Sequence, residues 1–248
     1  MRGLLLRLRI AAGFVVVIAV ALALDLWLRV CLLLYRGDDA GRVAAFGRVV
    51  RTWGDVLFGC ARWAVGFEVT IEGTVPSSGR YLVVANHQSS LDIPFLLTTL
   101  RALELKFVAM ESLRTGKPVI SMMIRHGGLV CVGKTNIGED LAALTRFAAG
   151  LARYGGSPVI FPAGGLERDH GARRFYFAGI EVLRRGSKLP ILPVAISGLA
   201  QAPSIGGLAR LAGSKVTMRI GAPVPFEEVG RDPRAAYEAL EQTIYGRA

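Results

Sequence analysis

The chain has 248 residues, with 30 Lys+Arg against 19 Asp+Glu, a formal charge of +11 and a hydrophobic share of 52%. A mean hydropathy of +0.43 makes it basic and greasy at once, which excludes a disordered acidic chain, a disulfide-stapled miniprotein and a collagen-like repeat. Nucleic-acid binding would explain the charge but not the hydropathy, and no basic stripe is visible; an anionic bilayer surface explains both.

Arg2, Arg7 and Arg9 precede an apolar run from Ile10 to Leu24. Ala21-Leu22-Ala23 resembles a signal-peptidase site, but the apolar character continues past Asp25 and Arg29 to Tyr35. An uncharged stretch of about 15 residues spans only about 22 Å as a helix, whereas the run to Leu34 is long enough to cross a bilayer. An anchor is therefore expected rather than a cleaved signal. Arginines stand on both sides of it, Arg36, Arg42, Arg48 and Arg51 following. A shallow or hairpin-like insertion keeps both ends on the cytoplasmic face, which a single span does not.

Val43, Phe46, Val49, Val50, Trp53, Leu57 and Cys60 then recur at helical spacing. Such a helix lies in the headgroup region or packs on the globular domain; the pattern is the same for both. Residues 1–66 are thus read as a hydrophobic and basic amphipathic anchor, and residues 67–248 as one domain. Cys31, Cys60 and Cys131 are too far apart for a CxxC pair or a disulfide framework, so a reducing compartment is expected.

From Phe67 short apolar runs alternate with helical stretches, the signature of a layered α/β domain with a mostly parallel sheet flanked by helices. Strands are predicted at Phe67–Glu72, Tyr81–Ala85, Lys106–Ala109, Gly128–Val132, Pro158–Phe161, Ile191–Ile196 and Val216–Ile220. Helices are predicted at Ile93–Leu100, Pro118–Arg125, Asn136–Tyr154, Gly179–Arg185 and Pro233–Tyr245. The third has a capping-box pair, Asn136 and Glu139, an apolar face of Ile137, Leu141, Leu144, Ala148 and Leu151, and a Gly155-Gly156 stop.

His87 directly follows an apolar strand, in Asn86-His87-Gln88-Ser89-Ser90-Leu91-Asp92. Strand ends beside a helix N-terminus are where open α/β sheets place functional groups. If Ser89 or Ser90 caps the next helix, Asp92 falls in its first turn, and its carboxylate can turn back to one imidazole nitrogen. The result is a general base with an orienting acid and no protein nucleophile. His126, at a helix end, and His170, in a charged loop, look structural, and no His or Cys spacing suits a metal. A second cluster, Phe161-Pro162-Ala163-Gly164-Gly165, follows another strand; its glycines allow close backbone approach and N–H groups for an oxyanion. Lys134 follows a third strand.

In order and spacing these segments resemble the glycerolipid acyltransferase family typified by 1-acyl-glycerol-3-phosphate acyltransferase. The family's first motif, Asn-His-x4-Asp, is whole in Asn86, His87 and Asp92, with Gln88-Ser89 inside it. Gly128 to Lys134 is similar to the second, with Lys134 for Arg. The third, Phe-Pro-Glu-Gly-Thr-Arg, keeps Phe161, Pro162 and Gly164, while Ala163, Gly165 and Leu166 replace Glu, Thr and Arg. Leu192-Pro193-Val194-Ala195-Ile196 corresponds to the fourth.

The resemblance implies that His87 deprotonates an acceptor hydroxyl while Asp92 holds the imidazole, and that this oxygen attacks the thioester of acyl-CoA or acyl carrier protein. It implies no cofactor and no metal, a lyso-lipid acceptor such as 1-acyl-glycerol-3-phosphate, and a place on the cytoplasmic face of the cell membrane, against membrane lipids. Asn86, Ser89, Lys134, Phe161, Pro162, Gly164 and Gly165 would line the substrate. The departures at 134, 163 and 166 weaken the site's hold on a phosphate, unless Glu167, Arg168, Arg173 and Arg174 compensate. Another lyso-lipid acceptor, such as a lyso-aminolipid or glycolipid, or a non-catalytic lipid-binding role are the competing readings. A hydrolase is disfavoured, because Ser197-Gly198 lacks the GxSxG elbow.

Overall fold

The computed structural model describes residues 2–133, 135–167 and 175–246. Each of the seven apolar runs forms a strand: β1 (Glu68–Glu72), β2 (Leu82–Ala85), β3 (Leu105–Met110), β4 (Val130–Val132), β5 (Ser157–Ile160), β6 (Ile191–Ser197) and β7 (Lys215–Ile220). They build one sheet in the order β1-β7-β6-β2-β5-β3-β4. Only β6 and β7 pair antiparallel. The expected mostly parallel sheet is present, and β2 and β5 are buried at every position because helices cover both faces.

The helices are α1 (Arg2–Leu34), α2 (Asp39–Val65), α3 (Asp92–Thr99), α4 (Ile120–His126), α5 (Ile137–Tyr154), α6 (Phe177–Ser187), α7 (Phe226–Arg231) and α8 (Pro233–Tyr245). Their ends follow local chemistry. The Asp38 carboxylate accepts from the Gly41 N–H at 2.8 Å to start α2, and Gly66, at φ +71°, ends it. Asn136 caps α5 by accepting from the N–H groups of Gly138 and Glu139, as its sequence predicts, and Gly155 stops it. One residue of the predicted α5 face is misplaced: Ile137, at the first position of the helix, is exposed, while Leu144, Ala148 and Leu151 are buried.

On one face of the sheet α2 and α3 pack through Phe58, Phe67 and Phe95; the Phe58 and Phe95 rings stack at 4.8 Å. On the other, α5, α6 and α8 bury Leu144, Ala148, Ile180, Leu183 and Leu240. A polar cluster ties α6 to α8: the Glu181 carboxylate accepts from the guanidiniums of Arg184 and Arg185 and from the Tyr237 hydroxyl.

The N-terminal residues form a helical hairpin, with α1 lying outside the layers against α2. The apolar stripe of α2 turns inward. Val43 and Phe46 are buried, and Val49, Val50 and Trp53 pack in the cluster that joins α1, α2 and α4. Of the two arrangements open to that helix, the protein adopts the packed one. Asp25 keeps its place in an apolar helix by accepting from the Val119 N–H at 2.8 Å and from Arg29 at 2.8 Å. Gly3–Leu34 has a mean hydropathy of 2.5 and is long and apolar enough to cross a membrane. Leu4, Leu8, Val15, Ile18, Leu22, Leu26 and Trp27 remain exposed on it.

The hairpin's open end lies at the edge of the sheet where β2 and β6 end. Glu68, just past α2, pairs with Lys215 at the start of β7, and Thr217 two residues on pairs with Ser197 at the end of β6. A narrow apolar cleft there is lined by Ile10, Gly13 and Phe14 of α1 and by Leu91 beside Asp92. The Arg9 guanidinium donates to the Trp63 carbonyl and sits 5.2 Å from the centre of the Trp63 ring, closing the hairpin.

Candidate active site

The loops leaving the C-terminal ends of β2 and β5 meet at His87. Its Nδ1 lies 2.9 Å from Asp92 Oδ2. The same carboxylate oxygen accepts from the N–H groups of Gln88 at 2.6 Å and Ser89 at 2.7 Å. Asp92 is fully buried and opens α3, where the helix dipole favours a negative charge. With an acceptor at Nδ1, the neutral imidazole carries its proton there and presents a bare Nε2. Nε2 has no hydrogen-bond partner among the described residues. The ring stacks on Phe161 at 4.2 Å and 14°. Its side chain is 14% exposed.

Neither serine caps α3, contrary to the sequence reading. The cap position is Leu91, without a side-chain bond. The Ser89 hydroxyl donates to the Ala202 carbonyl and accepts from the Leu91 N–H at 3.2 Å, and the Ser90 hydroxyl points to the Pro203 carbonyl at 3.3 Å. Asn86 is occupied in the same way: its amide donates to the Ile196 carbonyl at 2.7 Å and accepts from the Ile196 N–H at 2.6 Å. With both residues buried, these bonds pin the His87 loop to β6 and the segment after it. They leave the two side chains committed to the protein.

At the other loop, the Gly164 N–H donates to the Phe161 carbonyl at 2.9 Å, closing a turn with Pro162 inside it. That N–H is therefore spent within the turn. Gly164 has φ +69°, a conformation that suits glycine. Gly165 follows at the half-buried surface. Lys134, Arg168, His170, Arg173 and Arg174 lie outside the described residues. His126 closes α4 as expected, where burial and the nearby Arg42 and Arg125 push its pKa down.

Tyr245 escaped the sequence reading as part of this site, and Glu167, read there as a residue near the acceptor, holds the His87 loop instead. The Glu167 side chain accepts from the His87 N–H at 3.1 Å, and its own N–H donates to the His87 carbonyl at 2.7 Å. The Tyr245 hydroxyl donates to the same Glu167 oxygen at 2.9 Å. The one sequence cue was a carboxylate four positions after Ala163; Tyr245 gave none.

The sequence profile of the Acyltransferase family matches residues 66–197, just over half of the 248 residues. This chain belongs to the acyltransferase family. It is 25% identical over 174 residues to 1-acyl-sn-glycerol-3-phosphate acyltransferase alpha of Bos taurus, covering 69% of this chain and 59% of that one. Against the Mus musculus protein of the same name it is 25% identical over 140 residues, covering 55% and 48%. The chain thus spans about half the length of these relatives. The crystal structure of the 1-acyl-sn-glycerophosphate (LPA) acyltransferase from Thermotoga maritima matches with a TM-score of 0.72 and 22% identity, over 98% of this chain and 95% of that one. That likeness establishes the acyltransferase fold for the whole chain, hairpin included. The matched span runs from the end of α2 to the end of β6, so it contains His87, Asp92 and the Phe161-Pro162 turn.

Proposed function

We propose that the protein transfers a fatty acyl chain from a thioester donor, acyl-CoA or acyl carrier protein, to the hydroxyl of a lyso-lipid. The relatives' names make 1-acyl-glycerol-3-phosphate the first acceptor to consider. The observation that carries this reading is the buried Asp92 carboxylate on His87 Nδ1, with no partner on Nε2 among the described residues. Such a pair without a side-chain nucleophile suits a reaction in which the substrate supplies the attacking oxygen.

His87 Nε2 takes the proton as the acceptor oxygen bonds to the thioester carbonyl carbon. The C–S bond breaks, and the proton passes from Nε2 to the leaving sulfur. Asp92 keeps the tautomer and balances the imidazolium charge in between. The exposed apolar surface of α1 adjoins this edge of the sheet. We therefore read the hairpin as a shallow membrane anchor on the cytoplasmic face, from which a lyso-lipid reaches His87 without leaving the bilayer.

Ala163 and Leu166 favour a second acceptor class, because neither supplies charge for a phosphate. A radiolabelled acyl-CoA assay with lysophosphatidate, a lyso-aminolipid and a lyso-glycolipid in parallel decides between them. Transfer to lysophosphatidate above the others is expected. Transfer to the others alone overturns the phosphate acceptor, and transfer to none overturns the reading.

A further inference from the structure

Glu167 touches the base's main chain rather than its ring. β2 ends at Ala85, so His87 lies beyond the last sheet residue of its strand. Both polar groups of its backbone are taken by one residue: the N–H by the Glu167 carboxylate at 3.1 Å, the carbonyl by the Glu167 N–H at 2.7 Å. Asp92 and Phe161 fix the ring, but a ring is only as well placed as the Cα that carries it. The carboxylate is itself held, since the oxygen that meets His87 also accepts from Tyr245. The Tyr245 ring packs edge-on against Phe175 at 6.0 Å. α8 carries Tyr245 and is tied to α6 through Tyr237 and Glu181.

We propose that Glu167 is a positioning residue for His87, clamping the base's backbone at both ends while Tyr245, at the end of α8, locks the clamp. The third motif carries its glutamate at the place of Ala163. Here the chain turns at Pro162–Gly164 and delivers a carboxylate from position 167 instead, onto the base loop. Its hydrogen bonds run to the protein, and its charge would repel a phosphate, so it is no acceptor ligand.

This inference rests on His87 acting as the base in acyl transfer. The test therefore measures wild type, His87→Ala, Glu167→Ala, Glu167→Gln and Tyr245→Phe together for kcat, for KM of donor and acceptor, and for Tm. The reaction rate of His87 with diethyl pyrocarbonate, mapped by peptide mass spectrometry, is read alongside. Misplacing a catalytic group by about 1 Å costs up to about 100-fold. Glu167→Ala is thus expected to lower kcat about 10- to 100-fold with both KM values within about twofold, and to speed modification of His87. Glu167→Gln should recover most of the rate, because an amide oxygen still accepts both bonds. Tyr245→Phe should fall between.

Wild-type kcat in Glu167→Ala, or a raised acceptor KM at unchanged kcat, overturns the clamp while an inactive His87→Ala keeps the reaction. An inactive wild type overturns the reaction itself, and the modification rate still reports on the clamp. If Glu167→Ala does not fold, Tyr245→Phe carries the test: unchanged kcat and unchanged His87 reactivity refute the proposal.

Discussion

At His87 the two imidazole nitrogens are made unequal by their surroundings. Nδ1 faces a buried carboxylate oxygen that already holds two backbone N–H groups, whereas Nε2 has no hydrogen-bond partner among the described residues. Asp92→Asn keeps the shape but removes the charge that offsets the imidazolium, so kcat should fall about 10²- to 10⁴-fold, the range of general base catalysis, with little change in KM. Steady-state kinetics on the folded variant check this, and a change confined to KM would contradict it. The His87–Asp92 contact was legible because the two residues stand five positions apart at a strand end. Asn86 and Ser89 were legible as part of the His87 loop but not in their contacts, since their partners lie 110 and 113 residues downstream. No local pattern announces a bond across the sheet.

Elements were legible where periodicity and caps agree. Pro233 to Tyr245 is helical over the predicted span, and Asp232 caps it by accepting from the Ala235 N–H at 3.1 Å. The six-residue α7 was missed, being too short to show a helical period. The Glu181 cluster between α6 and α8 was equally hidden, because its members come from two separate helices. There the Arg184 guanidinium foremost, with the Tyr237 hydroxyl and Arg185, draws the Glu181 carboxyl down from 4.5 to about 2 against the opposing effect of burial.

A carboxyl with a depressed pKa stabilises the fold above its unfolded value and loses that contribution as pH falls through its folded value. The cluster's contribution is therefore complete above pH 4.5 and lost towards pH 2. Glu181→Gln leaves the buried Arg184 guanidinium without its counter-charge. It should cost about 2–3 kcal/mol, below the range for a fully buried pair because Glu181 keeps 22% of its side chain in solvent. The Tm gap between wild type and variant should close as pH falls from 4.5 to 2. A gap that stays constant over that window would contradict the assignment.

Across the whole molecule, the sheet edge that carries His87 and the open end of the hairpin coincide, which gives the basic, greasy composition a place. The apolar run at the N-terminus was plain in the sequence. Its side-by-side packing on α2 was not, because the stripe on α2 suits a membrane surface and a helix partner equally. Leu22 and Leu26 are 57% and 64% exposed, so replacing both by Asp should leave the fold and its Tm intact. Each carboxylate costs about 2.5–3.5 kcal/mol at a bilayer centre and less at the shallow depth read for the hairpin. Co-sedimentation with anionic phospholipid vesicles should therefore drop by about tenfold or more, and unchanged binding would contradict the anchor. The central claim, acyl transfer by His87, is tested most directly by measuring radiolabelled acyl transfer to a lyso-lipid by wild type and a folded His87→Ala variant. The account predicts labelled product from the wild type and loss of about 10²-fold or more in the variant; equal turnover by the two would contradict it.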